Sequence, residues 1–151
     1  KADAITGVVM KIRDMSIGDY TNAYALWLSC PGIGLHPADD SREGIARFLD
    51  RNPKTCFVAE ADGRLIGTIM AGNDGRRGYI YHTAVHPNYR GRGIGSALVQ
   101  AAIQALERLG IGKAALVVLE TNADGNVFWE KQGFTVRTDL TYRNKTLEQT
   151  D

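Results

Sequence analysis

The chain has 151 residues, 44% of them apolar and 23% charged, a composition that lets a soluble domain bury its own core without disulfide or metal support. Eighteen basic residues against 17 acidic ones leave a net charge of +1, too small a field to draw nucleic acid or an anionic membrane to the surface as a whole. Cys30 and Cys56 are too few for a disulfide framework or a zinc site, and no apolar run or basic leader reads as a membrane span or signal peptide. Reduced thiols, a cytoplasmic setting and no bound metal are therefore expected.

In chain order, Gly7 to Arg13 alternates, with Val8, Met10 and Ile12 on one face, and predicts a first strand. Ser16 offers an N-cap for a helix patterned through Tyr20, Ala23, Tyr24, Trp27 and Leu28. Pro31, Gly32, Gly34 and Pro37 make Cys30 to Asp40 irregular, and Ser41 caps a second helix whose Ile45, Phe48 and Leu49 share a face before Pro53 closes it. Thr55 to Ala61 and Arg64 to Ala71 are β-rich around Asp62-Gly63, a hairpin signal, and Tyr79 to Val85 returns as a third strand after the turn residues Asn73, Asp74, Gly75 and Gly78.

From Ile94 the apolar positions Ala97, Leu98, Ala101, Ala102, Ala105, Leu106 and Leu109 form one helical stripe, stopped by Gly110 and Gly112. Lys113 to Leu119, continuously apolar from Ala114 on, predicts a strand buried on both faces, parallel to Tyr79–Val85 in the middle of the sheet. Ala123 to Gln132 suits a short helix that Gly133 stops, with Phe134 to Arg137 and Leu140 to Leu147 as closing strands. The expected fold is α/β: a single domain over 1–151 with one mixed sheet, an antiparallel N-terminal meander and a central parallel pair, in the order β-α-α-β-β-β-α-β-α-β-β. Lys1 in place of Met suggests trimmed or tag-derived residues at the start, and 1–6 and 148–151 are expected to be loose ends.

Chemistry concentrates at Arg90-Gly91-Arg92-Gly93-Ile94-Gly95-Ser96, between a predicted strand and the strongest helix. Small residues at a helix start let a ligand approach the backbone, and the unpaired first-turn N–H groups favour an anion such as phosphate. Two familiar phosphate motifs fail here. No lysine occurs between Lys54 and Lys113, which excludes a P-loop, and a dinucleotide fingerprint counted from Gly91 or Gly93 meets Ser96 or Leu98 where it needs glycine.

The pattern that is met is Arg90-x-x-Gly93-x-Gly95, led by Ala84-Val85-His86-Pro87 and followed downstream by Phe128-Trp129-Glu130-Lys131-Gln132-Gly133-Phe134. Together these runs resemble the acetyl-coenzyme A loop and the aromatic-x-x-x-Gly-Phe element of the GNAT family of N-acetyltransferases. The element order above also matches that family. The resemblance implies a splay between two strands that admits the pantetheine arm, lined by Ala84, Val85 and His86. It implies too that the amides of Arg90, Gly91, Arg92, Gly93, Ile94, Gly95 and Ser96 hold the diphosphate of acetyl-CoA, the co-substrate, with Arg92 as a side-chain phosphate partner. The bland alternative for Arg90 and Arg92 is a pair of solvated loop residues.

Asn122 stands seven residues before Trp129, the spacing at which relatives carry an arm-contacting asparagine and an aromatic, often tyrosine. An indole N–H has no usable acidity, so Trp129 is expected to wall the cofactor tunnel, and the departing thiolate must take its proton from water, Tyr142 or Tyr79. The resemblance implies direct attack of a neutral amine on the thioester without a covalent enzyme intermediate, polarised by a strand amide near Val85. Where relatives carry a strand glutamate this chain has Tyr79 and Val117. The candidate bases are Glu120, then His82, then a water chain ending on Tyr79 or Tyr81. Trp27, Leu35, His36, Asp39 and Asp40, backed by Tyr24, are the candidate acceptor site, although adjacent acids before Ser41 also suit a helix start. The expected activity is N-acetyl transfer to a primary amine, with a non-catalytic coenzyme A sensor as the alternative. No nucleic acid or membrane partner is expected, and the final strand is a candidate edge for the homodimers common among relatives.

Overall fold

The computed structural model describes residues 2–5 and 8–148. Asp62 and Gly63 both take positive φ, 53° and 70°, the primed turn whose twist matches its flanking strands. It joins β3 (Cys56–Ala61) to β4 (Arg64–Asn73). Asp74 Oδ1 accepts from the amides of Arg76 and Arg77 at 2.8 and 2.7 Å, closing the turn into β5 (Gly78–Val85). Before these strands come β1 (Ala2–Ile5) and β2 (Val8–Asp14), and after them a short β6 (Ala114–Ala115). The sheet runs β1-β2-β3-β4-β5-β6, antiparallel except for the last pair. Gly7, where the first strand was predicted to start, lies outside the described residues, as do 149–151. Ala2–Ile5, expected loose, is instead an edge strand, because its backbone groups find a ladder on β2.

Four helices cover the two faces: α1 (Tyr20–Ser29), α2 (Arg42–Arg51), α3 (Ile94–Arg108) and α4 (Ala123–Lys131). On one face Ile94, Leu98, Ala102 and Leu106 of α3 pack on Ala59, Ile66, Ile69 and Ile80. On the other, Ala23, Leu26 and Trp27 of α1 and Ile45 and Leu49 of α2 pack on Cys56, Val58, Met70 and Ala84. Burial pushes the Cys56 thiol up to about 12, which keeps it inert. Among the described residues no helix is long and apolar enough to cross a membrane, and no group of three or more His, Cys, Asp or Glu could hold a metal ion.

A single 3₁₀ turn, Ile17–Asp19, leads into α1, and Asp19 accepts there from the Ser16 amide at 2.9 Å. The Arg13 guanidinium bonds both Asp19 oxygens, at 2.6 and 2.9 Å, and Glu60 Oε1 at 2.6 and 2.8 Å, tying β2 to this turn and to β3. Burial alone would raise the Asp19 carboxyl, but the hydrogen bonds from Arg13 and Ser16 outweigh it and hold the group below its usual 3.8. A depressed folded-state value means that this carboxylate stabilises the fold above about pH 4 and that its contribution fades as pH falls through the folded value. Arg13→Met should therefore cost about 1–3 kcal/mol at pH 7, by leaving a buried carboxylate unpaired. Urea unfolding of both proteins at pH 7 and pH 3 should show that deficit shrinking in acid.

The C-terminal third departs from expectation. Of Lys113 to Leu119 only Ala114–Ala115 pairs with β5, and Val117 and Leu119 are 61% and 64% exposed, so the run is not buried on both faces. An apolar stretch is buried only where layers cover both of its sides. No strand follows β6 in the described sheet, and the parallel pair stands at its end. Phe134–Arg137 and Leu140–Leu147 likewise carry no ladder, since a two-residue β6 offers them almost no edge to extend.

Candidate active site

The site begins at an irregularity in β5. Thr68 pairs with Ala84 and Met70 with Tyr81, so both His82 and Thr83 stand opposite Ile69, a β-bulge that reverses which face the following side chains take. His82 absorbs the extra residue with φ 40°, a left-handed conformation uncommon outside glycine. Its ring turns onto α1 and packs against Trp27, centroid to centroid 4.6 Å, with the two planes tilted by 49°. Trp27 Nε1 donates to Thr68 Oγ1 at 2.9 Å, and that hydroxyl donates to the His82 carbonyl at 2.8 Å, so one threonine holds the indole and the bulge together. Trp27, predicted to meet the acceptor, is 1% exposed and serves instead as the shelf beneath the imidazole.

The loop before α2 completes the arrangement. Asp40 is buried, with Oδ1 2.5 Å from His82 Nε2 and Oδ2 accepting from the His36 amide at 2.7 Å. Its carboxylate is thus engaged rather than free to attract a cation, a correction to the predicted role. Asp39 is exposed, 3.6 Å from His36 Nδ1, and His36 Nε2 also meets Glu148, a residue expected to be loose, at 2.5 Å. Tyr20, Tyr24, Leu35, His36, Pro37, Asp40 and Ser41 line a cavity of about 330 Å³ between α1 and this loop. Tyr20, whose hydroxyl donates to the Asp40 carbonyl at 2.7 Å, was part of the predicted helical stripe but not of the predicted site.

Gly44 also escaped the sequence reading, although a glycine inside the first turn of a helix asks for a reason. A Cβ there would lie 2.4 Å from the carbonyl oxygens of both Ala38 and Asp39, so the loop closes onto α2 only because no side chain intervenes. Gly44→Ala should therefore push the segment off the helix, at a cost of about 1–3 kcal/mol. The fall in urea midpoint, set beside Gly112→Ala, where an added Cβ meets open space and the backbone is not left-handed, measures this.

On its outer side β5 pairs only through Gly78 and Tyr79, where β6 ends. The His86 amide donates to the Ile66 carbonyl at 2.7 Å, which makes His86–Ile66 a hydrogen-bonded pair and turns the N–H and C=O of Val85 toward that open side. The Val85 carbonyl accepts there from Arg90 Nε at 3.3 Å and Cys30 Sγ at 3.6 Å. Thr83 Oγ1 is buried without a partner among the described residues.

Just beyond, Gly91 and Gly93 take φ 76° and 79°, and Gly93 is the left-handed N-cap of α3. The Ala97 amide bonds back to Gly93 O, so the amides of Ile94, Gly95 and Ser96 precede the first intrahelical bond. The loop is pinned from outside. Tyr89 donates to Asp62 Oδ2 at 2.9 Å, and Arg92 lies 5.2 Å over the Tyr89 ring. An open strand edge with an orphaned hydroxyl, leading into a glycine turn with free amides, fits an elongated ligand ending in a diphosphate.

Residues 20–134 match the Acetyltransferase (GNAT) family. The chain belongs to the GNAT family. An acetyltransferase of Photorhabdus laumondii is 40% identical over 113 residues, covering 75% of this chain and 78% of that protein. Among solved structures, Ard1 from Thermoplasma volcanium superposes with TM-score 0.76 at 22% identity, over 85% of this chain and 84% of that one. The PaiA N-acetyltransferase of Thermoplasma acidophilum in complex with coenzyme A gives 0.74 at 23%, over 85% and 91%. The protein is therefore an N-acetyltransferase.

Several predicted residues of this acetyltransferase have other occupations. Glu120, placed first among the bases, is exposed in the turn before α4 and makes no hydrogen bond among the described residues. Asn122 caps α4, its Oδ1 accepting from the Gly125 amide at 3.0 Å. His86 caps the 3₁₀ turn Pro87–Tyr89 through Nδ1. Gly95 faces inward, where a Cβ would come within 3.2 Å of the Phe128 ring, so its smallness is needed for helix packing. Trp129 packs between Phe128 and Phe134, at 5.0 and 5.2 Å, and is half-buried. Tyr79 stacks on Tyr81 at 4.8 Å, and burial, then Tyr142 nearby, raises both phenols above their usual 10. Tyr142 itself is 67% exposed.

Proposed function

We propose that this acetyltransferase moves the acetyl group of acetyl-CoA onto a primary amine by direct attack in a ternary complex, with His82 accepting the ammonium proton. The observation that carries this reading is the bulge. With it the imidazole lies in β5, beside the open edge where a thioester arm can lie, and within hydrogen-bond reach of Asp40, which lines the cavity between α1 and the loop before α2. His82 replaces Glu120 as the leading base because it adjoins both, whereas Glu120 faces solvent.

Acetyl-CoA, when bound, supplies an activated acyl group. The amides of Gly91 to Ser96 would bear its diphosphate, and Val85 N–H, aimed at the same open side, would polarise the thioester carbonyl. The positive charge that His82 gains on protonation would be balanced by the Asp40 carboxylate. Trp129 cannot act as an acid, which leaves water, Tyr142 or Tyr79 to supply the thiol proton. Thiol release from acetyl-CoA, followed with a panel of amines and peptides, tests the reading. Amine-dependent turnover is expected, whereas release indifferent to every amine alongside tight coenzyme A binding would favour the sensor.

A further inference from the structure

We propose that Asp40 is the positioning residue of His82, fixing the imidazole as the Nε2–H tautomer so that Nδ1 is the basic nitrogen. The assignment rests on His82 being the proton acceptor. Every polar group of Asp40 is committed: Oδ1 to His82 Nε2 at 2.5 Å, Oδ2 to the His36 amide at 2.7 Å, the carbonyl to Tyr20 OH at 2.7 Å, and the amide to the His36 carbonyl at 2.9 Å. A carboxylate offers only acceptors, and a carboxyl is by nature a stronger acid than an imidazolium, so the shared proton belongs to Nε2. In the neutral ring that leaves the lone pair on Nδ1.

The ring has little freedom to escape this constraint. Trp27 lies against its face, and Thr68 binds both the Trp27 indole and the His82 carbonyl. The left-handed backbone at residue 82 is a strained conformation that a plain strand would avoid, and it is what turns the ring onto Trp27 and Asp40. Asp40 is likewise a poor choice for stability alone, since burying a carboxylate costs more than apolar packing in its place would. Asp40 itself is held by Gly44, whose missing side chain lets the loop sit on α2.

The test uses the whole chain with ¹⁵N-labelled histidine, reading the two ring nitrogens of His82 at a pH where the imidazole is neutral. The wild type should show Nε2 protonated and Nδ1 bare. Asp40→Asn keeps the shape and can keep the bond from the His36 amide, but its NH₂ must donate to Nε2, which forces the proton onto Nδ1. We expect the tautomer to invert and kcat to fall about 10²- to 10⁴-fold with KM for acetyl-CoA unchanged. A wild-type His82 protonated on Nδ1, or an Asp40→Asn protein with full kcat or an uninverted ring, overturns the assignment. Should Asp40→Asn not fold, the wild-type spectrum alone decides. Full activity in His82→Gln would instead sink the reading of His82 as the base, a separate failure.

Discussion

His82→Gln should lower the rate of amine-dependent thiol release by about 10²- to 10⁴-fold, the contribution of a positioned proton acceptor, while leaving coenzyme A affinity as it was. Gln was chosen because its side-chain amide can reach Asp40 Oδ1 as Nε2 does, so the loop before α2 keeps its anchor and only the basic nitrogen is lost. Steady-state kinetics with a reactive amine, beside calorimetric titration with coenzyme A, separate the two quantities. Unchanged kcat would return the proton to water or to another group. A fall confined to KM for the acceptor would make His82 a binding residue.

Gly93→Val should abolish measurable coenzyme A uptake. At φ 79° the N-cap of α3 lies where a β-branched residue is an outlier, at a cost of about 1–3 kcal/mol, and its side chain would screen the amides that follow. Several hydrogen bonds to an anion, each worth about 1.5–3 kcal/mol, depend on that approach, so an affinity loss beyond about 100-fold is expected. Calorimetry gives the affinity, and circular dichroism shows whether the fold persists. Gly95→Ala is the contrast, because its Cβ would press on Phe128 and should lower stability more than affinity. Coenzyme A binding that survives Gly93→Val would remove the glycine turn from the site.

The elements legible in the chain were those whose signals are local. Asp62-Gly63 formed its hairpin, Ser41 capped α2 through the Gly44 amide at 3.0 Å, and the stripe from Ile94 became α3. Lys113–Leu119 misled because apolarity without alternation says only that something must cover a strand, and here nothing in the described sheet lies beyond β6. Asn122 and Gly95 matched positions of the family pattern, yet each also satisfies a structural need, a helix cap and a close helix contact. A motif match cannot tell the two uses apart.

The amino-acid order by itself determined the family, the glycine turn at the head of α3 and the faces that α2 and α3 bury, whereas on α1 the predicted stripe included the exposed Leu28 and missed the buried Leu26. Turn conformation and helical amphipathicity depend on residues within a few positions of one another. Only the tertiary structure decided which acidic residue meets the imidazole. Asp40 and His82 are 42 positions apart, and their meeting depends on a bulge opposite Ile69, on Trp27 as a shelf and on the absence of a Cβ at Gly44. The first two are contacts between segments far apart in the chain, and even the short-range one at Gly44 depends on how the loop folds back onto α2, which spacing alone does not encode.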